Sequence, residues 1–200
     1  MPIEYLELLD WRRRVAELFV DLRRRPGNED TVRWFRAQKD ELFRSHPQSP
    51  LPDAERIGFS GLPYWPFDPS MRVAARFSPD VANAWPESGE IAFFRIGYLD
   101  FELQGAALRL PAFWIAGYAG GLFVPFRDAT SGQETYGGGR YLLDTIKSAD
   151  FGSQLDPARV VLDFNYAYHP SCAYDPRWVC PLAGPDSRLP IPIRAGERLR

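Results

Sequence analysis

Apolar residues recur at three- and four-residue spacing between positions 5 and 25, where Leu8, Trp11, Val15, Leu18, Phe19 and Leu22 share one face. The positions between them carry charge, so the spacing predicts an amphipathic helix. Pro26-Gly27 ends it. Asn28 then stands at an N-cap position, with Glu29 and Asp30 in the turn that follows, where they meet the positive end of the helix dipole. A second helix is expected from there to about Ser45, burying Val32, Phe35, Leu42 and Phe43 and running antiparallel to the first. The helical period then stops. Residues 47–70 hold Pro47, Pro50, Pro52, Pro63, Pro66 and Pro69, which predicts an extended connector pinned by Tyr64, Trp65 and Phe67.

Beyond this connector the pattern changes to short alternating or continuously apolar runs rich in β-branched and aromatic residues. Residues 71–77, 91–103, 113–118, 122–126, 141–143 and 160–165 read as strands, with a hairpin at Ala119-Gly120-Gly121. No long helical pattern alternates with them, which argues against a doubly wound parallel sheet. The expected fold is α+β in a single domain (1–200). A helical hairpin (1–46) and the proline-rich connector (47–70) precede a mostly antiparallel, curved or barrel-like sheet (71–169). The rest (170–200) is an extended tail expected to wrap the surface, because Pro176, Pro181, Pro185, Pro190 and Pro192 suit neither helix nor central strand.

Composition narrows the class without naming an activity. The chain has 200 residues, of which 45% are hydrophobic and 25% charged. That is enough to fold around its own core without a disulfide or a metal. Lys plus Arg number 24 against 26 for Asp plus Glu, a net charge of −2. The basic runs Arg12–Arg14 and Arg23–Arg25 are interleaved with Glu4, Glu7, Asp10, Glu17 and Asp21 and read as a solvated helix face, so no nucleic-acid partner is expected. Lys39 and Lys147 are the only lysines, which looks like the coding bias of a GC-rich gene. No apolar run approaches the roughly 18 residues of a membrane span, and the acidic N-terminus is unlike a signal peptide. A cytoplasmic location follows as the expectation, with Cys172 and Cys180 as reduced thiols.

Two segments concentrate chemistry. Between two strands, residues 126–141 combine Arg127, Asp128, Thr130, Ser131, Glu134, Thr135 and Tyr136 with Gly137-Gly138-Gly139 and Arg140. Successive glycines let backbone N–H groups approach an anion, and arginine offers a planar fork to a carboxylate or phosphate. It is not a P-loop, since no Gly-Lys-Ser/Thr follows. The competing reading is a glycine bulge with Arg140 paired to a buried carboxylate such as Asp163.

Residues 163–182 leave a strand and carry Asp163, Asn165, His169, Cys172, Tyr174, Asp175 and Cys180. Cys172 could act as a nucleophile, with His169 as base and Asp163 or Asp175 as orienter. His169, Cys172 and Cys180 with an aspartate could hold zinc, although seven residues between the cysteines exceed the usual spacing. Otherwise Asp163 and Asn165 cap the loop backbone and the cysteines pack as small hydrophobes. His46, before Pro47, reads as a surface residue or a helix C-cap.

These segments resemble a bacterial and archaeal family known as domain of unknown function 1684. The matching runs are 122–128, 135–142, Asp163-Phe164-Asn165, Ala167-Tyr168, Pro170, Cys172-Ala173-Tyr174, Cys180-Pro181-Leu182 and Arg194-Ala195-Gly196-Glu197, and the likeness extends over nearly the whole chain. The family usually has Asn where this chain has His169, and Glu-Asn at Asp186-Ser187. The resemblance therefore favours a site of Arg127, Asp128, Tyr136, Arg140, Asp163, Asn165 and Cys172 over imidazole chemistry.

The leading expectation is a small anionic or polar ligand, held between the 136–140 and 165–180 loops by Arg127, Asp128, Tyr136, Arg140, Asp163, Asn165 and Tyr174, in an enzyme or a sensor. One alternative is a thiol nucleophile or redox pair at Cys172 and Cys180. The other is a non-catalytic protein that docks through its helical hairpin. A flavin-binding split barrel is a fold analogy only. No cofactor is expected.

Overall fold

The structure, a computed structural model, describes residues 2–80, 93–116 and 120–199. Two helices, α1 (Pro2–Arg23) and α2 (Glu29–Ser45), form the expected hairpin. Asn28 caps α2 by accepting the Thr31 N–H at 3.0 Å. His46 is its C-cap, but a buried one: its backbone N–H donates to the Leu42 carbonyl, and Asp10 of α1 lies 3.2 Å from its Nε2. The connector carries a short α-helix, α3 (Asp53–Arg56), and buries Leu51, Phe59 and Leu62 against Phe43.

Among the described residues seven strands follow: β1 (Arg72–Pro79), β2 (Phe93–Leu103), β3 (Ala106–Ile115), β4 (Gly121–Phe126), β5 (Arg140–Asp144), β6 (Ser153–Leu155) and β7 (Ala158–Asp163). They pair antiparallel in the order β5-β4-β3-β2-β1-β7-β6 and curl into a half-barrel, so the fold is α+β with a barrel-like sheet. The curl brings β5 round to the chain beyond β7, where Tyr141 and Tyr168 exchange both backbone hydrogen bonds at 2.8 and 3.1 Å.

β2 and β3 are joined at Gln104-Gly105, both with positive φ (53° and 76°), the backbone of a tight two-residue hairpin. Pro125 sits in β4 where the register with β5 shifts, a position that asks no N–H of it. The expected hairpin at Ala119-Gly120-Gly121 falls partly outside the described residues. No helix among the described residues is long and apolar enough to cross a membrane.

Leu18, Phe19 and Leu22 of α1 and Val32 and Phe35 of α2 lie in the same apolar core as Leu99, Leu110, Phe126 and Leu162 of the sheet. The hairpin is therefore one wall of the core. The tail also departs from expectation. Leu189, Ile193, Ala195 and Glu197 are buried, and the last stretch threads the interior rather than wrapping the surface.

Candidate functional site

The 136–140 and 165–180 loops do lie side by side. Besides the Tyr141–Tyr168 bridge, the Ala183 N–H donates to the Gly138 carbonyl at 3.2 Å and the Tyr141 hydroxyl to the Pro181 carbonyl at 2.6 Å. The Tyr136 N–H donates to His169 Nε2 at 3.3 Å. The space between the loops is filled. A Cβ on Gly138 would meet Tyr136 and Leu182, and one on Gly139 (φ 93°) would sit 2.5 Å from the Phe126 carbonyl. At Gly138 and Gly139 the missing side chains permit this close packing.

Arg140 is the centre of that packing and is 1% exposed. Its Nη2 donates to Asp128 Oδ2 at 3.0 Å and to the Ile193 carbonyl at 2.7 Å. Its Nη1 donates to the carbonyls of Ala195 at 2.5 Å and Glu197 at 3.1 Å. Burial lowers its pKa to about 10, so it stays charged at neutral pH. Asp128 in turn accepts the Ile193 N–H at 2.7 Å and the Thr130 N–H and hydroxyl at 3.1 and 2.6 Å. Arginine and carboxylate together replace the missing sheet partner of the tail, which is how a proline-rich segment can be buried. Neither group is left to face a ligand, so both leave the expected site; the partner is Asp128, not Asp163.

Asp163 and Asn165 are likewise spent on structure. Asp163 caps the turn 164–166, accepting the Asn165 N–H at 3.1 Å, and pairs with Arg72 at 3.0 Å. Burial raises its pKa. Asn165 exchanges two hydrogen bonds with the Asp68 backbone, at 3.0 and 2.8 Å, and so fastens the connector to the sheet. Arg127 differs: it is half-buried, its Nε has no partner, and it forms no ion pair among the described residues.

The nucleophile and zinc readings find no geometry. His169 accepts at Nε2 from Tyr136, while its Nδ1 faces Glu197 Oε2 at 3.7 Å, so neither nitrogen is offered to Cys172. Burial pushes its pKa down to about 4, leaving a neutral ring. Burial and the neighbouring Cys180 thiol also push Cys172 up, the opposite of activation. Among the described residues no three His, Cys, Asp or Glu side chains gather as a metal site would need.

The polar groups converge elsewhere, around Glu197. This carboxylate is fully buried and accepts from Lys39 of α2, from the Tyr174 hydroxyl at 2.6 Å and from the His169 N–H at 2.8 Å. Burial alone would raise its pKa, but Lys39 leads the groups that hold it below the ordinary value. In front of this cluster lies a cavity of about 80 Å³ open to the centres of water-sized molecules. At roughly 10–15 Å³ per water this is room for several waters or one slender molecule. Trp11, Val15, Phe19 and Leu42 of the hairpin form its apolar side; Lys39, Lys147, Tyr168, His169, Ser171 and Tyr174 form the polar side. Lys147 pairs with Asp144 at 2.7 Å and keeps nearly half its side chain in solvent. The cavity thus uses one of the two expected loops, with the hairpin in place of the other. Of the expected ligand residues only Tyr174 lines it, alongside His169. Lys39, Lys147 and Glu197 are not among the expected ligand residues, although the scarcity of lysine and the Arg194-Ala195-Gly196-Glu197 run are visible in the sequence.

Fold and cavity define a class: a helical hairpin packed over a curled antiparallel sheet, with a partly open amphipathic hollow at their junction. The chain belongs to the family described as "Protein of unknown function (DUF1684)", whose profile matches residues 57–198. It is similar to an uncharacterized protein of Haloarcula marismortui solved by solution NMR, with 36% identity over 86% of this chain and 94% of that one and a TM-score of 0.60. No curated protein matches it.

Proposed function

We propose that the protein binds a small anionic ligand with an apolar portion, such as a short-chain or aryl carboxylate, in the cavity between the helical hairpin and the 165–180 loop. The observation that carries this reading is the convergence of the chain's only two lysines, Lys39 and Lys147, on one otherwise largely apolar hollow. Twenty-two arginines serve everywhere else (24 basic residues less two lysines). An ammonium has three donors, and one carboxylate contact leaves others to offer an incoming anion. Apolar walls would take the rest of the ligand, and a few placed polar groups would fix its orientation, as in most small-molecule sites.

The test is titration of the intact protein with hexanoate and phenylacetate, followed at the Trp11 indole by two-dimensional NMR, with the neutral amides as controls. The carboxylates should shift Trp11 and the amides should not. Lys147→Met, at a half-exposed position, should weaken hexanoate about tenfold or more while leaving the spectrum otherwise intact. Equal binding by this variant, or no response of Trp11 to either acid, would overturn the reading.

A further inference from the structure

Cys172 lies in the turn Ser171–Ala173, and Cys180 follows after a loop of seven residues that doubles back on it. The Cys172 N–H donates to Cys180 Sγ at 3.4 Å, which holds the two cysteines side by side. Both side chains are partly exposed, so a small reagent can reach them. His169 is turned to Tyr136 and Glu197, and no three His, Cys, Asp or Glu side chains gather at either sulfur among the described residues. Each thiol has the other as its reactive neighbour.

We propose that Cys172 and Cys180 form a reversible intramolecular disulfide by exchange with a low-molecular-weight disulfide, clasping the loop that carries Tyr174. One cysteine thiolate attacks a sulfur of the reagent, forming a mixed disulfide and expelling one small thiolate. The second cysteine attacks the protein sulfur of that mixed disulfide and expels the other. Two protein S–H bonds are lost and one S–S bond is gained. The reagent is reduced to two thiols, which take up the two protons. The enclosed loop includes Tyr174, whose hydroxyl holds Glu197, and Arg177, which donates to the Ser49 carbonyl at 2.9 Å. Oxidation therefore ties down a stretch that spans the cavity floor and the connector. The proposal stands on the hydrogen bond from the Cys172 N–H to Cys180 Sγ and does not depend on what the cavity binds.

The experiment incubates the full-length, folded protein with oxidised glutathione at about pH 9, since burial raises Cys172 and exchange needs thiolate. Intact mass and peptide mapping under non-reducing conditions then read the product. The expected product is monomeric, has lost two hydrogens, contains the Cys172–Cys180 peptide pair, and returns to the dithiol with a phosphine reductant. Its Tm should rise by about 5 °C, as closing a short loop predicts. Cys172→Ser and Cys180→Ser should each retain one glutathione instead. Three results with the wild-type chain would overturn the proposal: a stable glutathione adduct, a disulfide-linked dimer, or thiols that stay reduced when folded but oxidise in urea. Because these use no substitution, they hold even where a serine variant folds poorly.

Discussion

At the scale of single residues, His169 shows how position decides chemistry. Its Nε2 accepts a backbone N–H from Tyr136 at 3.3 Å, which fixes the proton on Nδ1. Protonation would abolish that acceptor and place a charge in a buried site. The folded pKa of about 4 lies below the ordinary 6.5. Between these values the unfolded chain binds more protons, so stability rises with pH across that window. The contribution is complete above the upper value and is lost as pH falls toward the lower one. It amounts to about 3 kcal/mol. Urea midpoints measured between pH 4 and 7 should show this slope. His169→Asn, whose amide can still accept from Tyr136, should flatten it. An unchanged slope would mean that the buried carboxylates dominate acid unfolding instead. Sequence could mark His169 as a candidate because it stands three residues from a thiol. It could not show that the chain aims the ring at Tyr136, thirty-three positions away, and away from Cys172.

At the scale of elements, local and long-range order were unequally legible. The α1 and α2 stripes and the Asn28 cap are written within a few residues of where they act, and so were readable. Most strands were readable for the same reason. β6 was not, because Ser153, Gln154 and Leu155 are all exposed and no core face imposes alternation on them. β3 was read short because Ala106, Ala107 and Arg109 dilute its first half. The sequence places the whole tail on the surface, because the burial of its last stretch depends on donors supplied by Arg140, more than fifty positions earlier. That dependence makes a prediction. Arg140→Leu strips the Asp128 carboxylate of its cation and three tail carbonyls of their donor, and should cost about 3–5 kcal/mol. Arg140→Lys should recover only part of this, since one ammonium cannot span four acceptors fixed around a guanidinium fork. Equilibrium urea unfolding of the two variants reads both costs. If leucine proved neutral, the ion pair would be dispensable and the tail held by its apolar side chains alone.

At the scale of the whole molecule, the hairpin and the sheet depend on each other. A docking arm could be removed from a barrel that keeps its own core. Here Leu18, Phe19, Leu22, Val32 and Phe35 complete the main core, and Phe43 completes the smaller cluster under the connector. Six such side chains at roughly 1.5–3 kcal/mol each contribute about 9–18 kcal/mol. That is comparable to the roughly 5–15 kcal/mol that holds a typical domain folded. Deleting residues 1–46 should therefore leave a chain without dispersed amide resonances, and the loss of any ligand would follow from unfolding. The start of α1 is different. Ile3, Tyr5 and Leu6 are exposed by 66%, 72% and 64% and contribute nothing to either cluster. Deleting residues 2–6 should shift the urea midpoint by no more than the loss of one exposed helical turn, about 1 kcal/mol, and leave the cavity formed. The pair of truncations separates an integral wall from a detachable arm, because a docking hairpin predicts a folded product from both deletions and an integral wall from the short one alone.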